Sequence, residues 1–208
     1  MTKYFSRLAV ALLVATGAAG SSATAQSLAN RIAGASDRSV QFSYPAKAGI
    51  CGDGRTYIST GPGSYYGSNS SNSSDQCVAG PVRVVADLAD RNVIALRTYV
   101  GGTTPVVDPG VANLGTVTAA DATDYLLGVA SRADGRVGRD AIFAALIADG
   151  PDLSSKLLDI GRDQNRPLET RRAALSGLVR SDAGQLDKIG AALVQIATNE
   201  GDAQGVRT

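Results

Sequence analysis

The chain has 208 residues, with 20 basic and 19 acidic side chains, no histidine and a formal net charge of +1. That near balance, with no block of like charge, argues against nucleic acid or an anionic membrane as a partner. The missing histidine removes most acyl-transfer triads, histidine-ligated zinc sites and histidine acid–base pairs.

Residues 1–25 read as a secretory leader. Lys3 and Arg7 supply a positive start, and Leu8 to Gly20 form an apolar, alanine-rich stretch of 13 residues, short of the ~20 needed to cross a bilayer as a helix. Ala23-Thr24-Ala25 then places small residues where a signal peptidase reads, so cleavage is expected before Gln26. Loss of the leader removes two basic residues and leaves 18 basic against 19 acidic, net −1. No later segment is apolar enough to span a membrane, so the expectation is an exported protein, periplasmic or extracellular.

Composition shifts midway. Residues 26–118 are rich in Gly, Ser, Tyr and Val; residues 119–200 are rich in Ala, Leu and Asp. Ser27 to Ala35 has the spacing of a short helix. Val40, Phe42 and Tyr44 then alternate with polar residues as a half-buried strand does, and Pro45 ends it. Cys51 and Cys77 in an exported chain are expected to form a disulfide, worth roughly 3–4 kcal/mol for a loop of this length. The alternative, a pair of metal ligands, has neither histidine nor CxxC spacing to support it, and no cofactor is implied. Inside the loop lie a brief strand at Tyr57-Ile58 and Gly61-Pro62-Gly63-Ser64-Tyr65-Tyr66-Gly67. The run Ser68 to Ser74 buries nothing and is expected to be a mobile tether. Val82 to Leu88 and Val93 to Val100, joined at Asp90-Arg91-Asn92, predict an antiparallel hairpin. Val82, Val84, Ala86 and Leu88 would share one face, with Ile94, Leu96 and Val100 inward on the return strand. Residues 103–113 read as a connector, and Leu114 to Thr118 as a last short strand.

Five helices follow. Asp121 with Asp124 has the pattern of an N-cap and an acidic third position. The first helix carries Tyr125, Leu126, Val129 and Ala130, and Asp134-Gly135 stops it. The second, from Arg139, is apolar nearly all round, as a helix buried on several sides is. Gly150-Pro151 separates it from a third with Leu153, Leu157, Leu158 and Ile160. Pro167 opens a fourth, with Glu169 near the positive end of its dipole. Leu186, Ile189, Leu193 and Ile196 mark a fifth, and residues 201–208 are expected to be a disordered tail. The first two helices repeat in the next two, since Leu126, Leu127 and Val129 map to Leu157, Leu158 and Ile160 at an offset of 31, and Arg139 to Arg171 at 32. A repeat at this period points to stacked helical hairpins, with the fifth helix lacking a partner.

Glu169-Thr170-Arg171-Arg172-Ala173-Ala174-Leu175 followed by Leu178 resembles the second helix of a HEAT-type repeat, and the resemblance covers residues 121–199. It implies a helical solenoid acting as a scaffold. It also implies structural roles for an Asp near the turn within a repeat and an Arg early in the second helix, places taken by Asp163 with Arg171 and, less closely, Asp134 with Arg139. Thr170 and Gly138 stand where the family usually has a small apolar residue. The expected fold class is therefore α+β, a small antiparallel β-rich part followed by a short stack of α-α hairpins.

Candidate chemistry is sparse. Gly61 to Gly67 follows no strong strand and opens no helix, so it is a poor phosphate cradle. Tyr65 and Tyr66 are candidates for stacking on a sugar ring or a partner, against the plainer reading that they cover the sheet. Asp53, with Asp75, is a candidate for Ca²⁺, although a tight turn explains Gly52-Asp53-Gly54 as well. No SxxK pair supports a Ser–Lys hydrolase. The functional expectation is a non-catalytic exported binding or scaffold protein with a protein partner. The alternative is a glycan- or Ca²⁺-binding module, or a hydrolase, centred on the Cys51–Cys77 loop.

Overall fold

The computed structural model describes residues 26–207 apart from 37, 62–63, 68–76, 103–109, 134 and 182–185; the side chains of 64, 65, 67, 181, 186–188 and 207 are not described. The expected leader, the serine-rich run, Asp75 and Asp134 therefore lie outside the described residues.

Helix α1 (Leu28–Ala33) is capped by the Ser27 hydroxyl, which accepts from the Asn30 amide, and it turns Leu28 and Ile32 inward. The first sheet comprises β1 (Ser39–Tyr44), β6 (Val82–Ala89), β7 (Asn92–Val100) and β8 (Val111–Thr116). The second comprises β2 (Cys51–Gly52), β3 (Tyr57–Gly61), β4 (Ser64–Gly67) and β5 (Val78–Ala79). The first is ordered β7-β6-β1-β8 and is mixed, because β8 lies parallel to β1; the second, ordered β4-β3-β2-β5, is antiparallel throughout. Cys51 and Cys77 are bonded, with an S–S distance of 2.02 Å and Cα atoms 5.2 Å apart, tying β2 to the segment entering β5.

The hairpin forms as expected, with one departure. A bulge between Asp87 and Leu88 sets Leu88 opposite Val93 rather than Ile94. Val93 therefore turns toward the core while Ile94 is 58% exposed, which corrects the inward placement of Ile94. A bulge adds one residue to one strand and so exchanges the faces beyond it. The turn itself holds Asp90 at φ 49° and Arg91 at φ 64°, the left-handed geometry that suits a two-residue hairpin and normally carries Asn-Gly.

The two sheets meet backbone to backbone. A side chain at Gly52 would come within 2.5 Å of the Val100 carbonyl, and one at Gly101 would collide with the Val78 carbonyl. Only glycine allows such an approach. The Gly54 amide donates to the Val100 carbonyl at 2.9 Å across this crossing.

Six helices follow: α2 (Ala119–Ala130), α3 (Gly135–Leu146), α4 (Ser154–Arg162), α5 (Leu168–Ser181), α6 (Leu186–Thr198) and α7 (Gln204–Arg207). Helix α2 begins a turn earlier than Asp121 implies, because buried Ala119 and Ala122 belong to it. Thr118 is the cap, accepting from the Asp121 amide at 3.0 Å and donating to its carboxylate at 2.8 Å. Gly135 opens α3 at φ 50° rather than only stopping α2. Helices α2–α3 and α4–α5 pair as hairpins. Helix α3 also packs on α5, α2 touches α4, α4 touches α6, and α5 touches α7. The tail expectation is thus overturned, and so is the unpartnered last helix. Asp202 and Val206 are buried and α7 packs against both α5 and α6, so α6–α7 is a third, truncated hairpin.

The core does not stop at residue 118. One cluster of buried side chains runs from Val40, Phe42 and Val84 through Leu126 and Ile142 to Leu157 and Leu178. Phe42 meets Tyr125 edge-on at 5.9 Å, and the Tyr44 hydroxyl donates to the Ala144 carbonyl at 2.8 Å. The Lys47 amide donates to the Ile147 carbonyl and the Asp149 amide to the Pro45 carbonyl, both at 2.9 Å, stitching the exit of β1 to the exit of α3.

Candidate functional site

Of the residues singled out by the sequence, Asp53, Tyr66, Asp163 and Arg171 are engaged in holding the fold. The Asp53 carboxylate accepts from the amides of Arg55, Thr56 and Tyr57 at 2.8–3.0 Å and from the Thr56 hydroxyl at 3.3 Å. Desolvation pushes its pKa up, but these four donors outweigh it and hold the carboxyl below its ordinary value. Its lone pairs are spent on its own turn, and no three potential metal ligands gather among the described residues. The Tyr66 ring stacks on Phe143 of α3, with centroids 4.1 Å apart, and its hydroxyl donates to the buried Asp140 carboxylate at 3.0 Å. Burial first, and then the Asp140 charge, raise the Tyr66 phenol. Tyr66 therefore docks β4 onto the helices. The Tyr65 side chain lies outside the described residues.

Arg171 is 3% exposed. Its Nε donates to the Gly161 carbonyl at the end of α4 at 2.9 Å, and its two terminal nitrogens grip the Asp202 carboxylate, Nη1 to Oδ1 at 2.6 Å. Asp163 is not its partner. Asp163 accepts from the Asn165 amide at 3.0 Å and from Arg166 Nε at 2.8 Å, shaping the α4–α5 turn. The Asn165 amide and then Arg166 lower the Asp163 carboxyl. Arg139 is exposed, its Nε 3.6 Å from Asp140 of its own helix, so the two repeat-equivalent arginines do different things. Gly138 and Thr170, also repeat-equivalent, face each other: a side chain at Gly138 would lie 2.5 Å from Thr170 Oγ1. That hydroxyl is buried without a hydrogen-bond partner among the described residues.

Another place has the geometry of a site. A half-open groove of about 680 Å³ lies where α1, the tip of the β6–β7 hairpin, and the α2–α3 junction converge, within the usual range for ligand clefts. Ile32, Val93, Val129 and Val137 are among its apolar lining, and the exposed Ile94 lies beside the turn. Arg38, Arg91 and Arg132 line it from three different elements, with Asp90 the acidic residue among the lining. None of the three arginines has an ion-pair partner among the described residues. The Arg132 guanidinium lies along α2 over Gly128, 3.4 Å from where a side chain would begin. Tyr125 lines both this groove and a smaller cleft that shares Ala29 and Arg132 with it. Burial pushes the Tyr125 phenol up to about 12 against the pull of Arg132, so it stays a proton donor at neutral pH. With guanidiniums, a neutral phenol and an apolar floor, the groove can hold carboxylates and bury aliphatic side chains.

No sequence spacing links these groups, which are drawn from residues 29–137. The available signal was the two-residue turn Asp90-Arg91, which lacks the expected glycine. In class, then, this is an α+β protein in which two sheets, one of them closed by a disulfide, and a short helical stack share one core. Beyond that class, comparison with known proteins adds no relative, since the chain matches no family model, no curated protein and no solved structure.

Proposed function

We propose that the protein is a non-catalytic binding protein acting outside the cytoplasm, in which a short HEAT-type helical stack is the scaffold and the groove at its junction with the sheet receives a protein partner. The carrying observation is that groove. Two non-glycine residues in left-handed backbone, a bulge that turns Ile94 outward, and three arginines without ion-pair partners among the described residues all meet there. Strained turns and bulges of this kind cluster at functional sites, where they re-aim side chains. The repeat reading draws support from the stacking of α3 on α5 and of α4 on α6, with α6–α7 as a short terminal hairpin. Export is supported by the Cys51–Cys77 bond and by the leader pattern of residues 1–25. No described helix is long and apolar enough to cross a membrane.

The test is capture from the exported fraction with Ile94→Glu and Tyr66→Phe variants, the retained protein being identified by mass. Ile94 is exposed, so its substitution spares the fold. The proposal expects Ile94→Glu to abolish retention and Tyr66→Phe to preserve it. Loss with Tyr66→Phe alone, or retention of a polysaccharide in place of a protein, would move the site to the disulfide loop.

A further inference from the structure

We infer that the segment seated in this groove is an acidic, apolar peptide of the partner, with aliphatic side chains on the floor and carboxylates reaching the arginines at the rim. The inference rests on the groove being the binding surface. Its basis is charge and shape together. Arg38 precedes β1, Arg91 sits on the hairpin tip and Arg132 lies in the turn after α2, so the positive charges come from separate parts of the chain around the groove rather than from one point. A ligand with a single anionic head would answer one of them. A segment with several carboxylates spaced along it answers all three. The groove is half open to solvent, which suits a polypeptide whose backbone keeps its water and suits an aliphatic lipid tail less well.

Tyr125 adds a neutral donor beside Arg132. Its hydroxyl has no hydrogen-bond partner among the described residues, and Tyr125 lines both the groove and the adjoining cleft. Arg91 supplies a second argument. A left-handed hairpin position costs little for Gly or Asn and more for Arg, so a guanidinium kept there, at φ 64°, is explained by what it touches in the complex. The guanidinium geometry also favours bidentate pairing with carboxylates.

The test uses the full chain after leader removal and fluorescence anisotropy of three labelled synthetic peptides. One alternates glutamate and leucine at helical spacing; the others carry lysine or glutamine in place of glutamate. The glutamate peptide should bind, weaken as salt rises, and lose about tenfold in affinity in the Arg38→Ala, Arg91→Ala, Arg132→Ala triple variant. Replacing the same three residues by Glu should transfer preference to the lysine peptide. These positions are exposed, and an unchanged thermal unfolding curve checks that each variant is folded. If the glutamine and glutamate peptides bind alike and Ile94→Glu removes both, the acidic assignment is overturned while the groove stands. If no peptide binds, or binding ignores Ile94→Glu, both are overturned. Dodecanoate binding in place of all three peptides would overturn the inference in favour of a free amphiphile.

Discussion

Arg91 and Arg171 are two arginines held in place for opposite reasons. Arg91 occupies left-handed backbone at the surface, so Arg91→Gly should raise stability by about 1 kcal/mol while weakening the partner. Opposite movement of the denaturant midpoint and the affinity would be the signature; parallel movement would mean that the turn does not store strain for binding. Arg171 is buried in a bidentate pair with Asp202. Removing one member of such a pair strands the other charge, so Arg171→Ala should cost about 3–5 kcal/mol, while replacing both residues by apolar ones of similar volume should cost far less. Equilibrium urea unfolding of the single and double variants separates these outcomes. Asp53 gives a dependence on pH. Its folded pKa lies below the unfolded value of about 3.9, so its contribution is complete above that value and fades as pH falls through the lower folded one. The stability difference between the parent and Asp53→Ala should therefore be flat above about pH 5 and shrink as the pH falls below the ordinary carboxylate range. A difference that grows on acidification would contradict the turn described for Asp53.

Among the elements, periodic segments were legible in the sequence and their meeting points were not. The alternation of Val40, Phe42 and Tyr44 located β1, and the valine-rich runs located the hairpin, because each reflects one strand's own burial. The bulge at Leu88 was invisible, since it depends on how two strands register rather than on either strand's pattern. The same applies to β8, whose parallel pairing with β1 depends on a partner strand distant in sequence and not on its own pattern. The helix echo located α2 to α5. It stopped short of α7, whose four residues make a single turn, too short to show a period, beside the buried Asp202 and Val206. The Arg early in the second helix of a repeat was recognisable as structural, but its partner was not: Asp202 lies 31 residues away, while the nearer Asp163 serves its own turn. The groove escaped because its cationic side chains come from three elements and share no spacing.

At the scale of the molecule, the compositional shift near residue 118 marks a change of secondary structure and not a boundary between cores. Phe42 on Tyr125, Tyr44 on Ala144 and Tyr66 on Phe143 bind the sheets to the helices. A fragment of residues 119–207 should therefore show helix in the far-ultraviolet without cooperative thermal unfolding, since Tyr125, Ile142 and Ala144 lose the surface that covers them. A sharp transition in that fragment would restore two independent parts. The groove proposed for the partner lies at the junction of those layers, and its most direct test is site-specific photo-crosslinking in the exporting cell, with the photoreactive side chain placed at Ile94 or, as a control on another exposed apolar position, at Val179. A discrete protein adduct is expected from position 94, and it should vanish when Arg38, Arg91 and Arg132 are replaced by Ala. An adduct from position 179 alone, or one from position 94 that survives the triple replacement, would contradict the proposed groove.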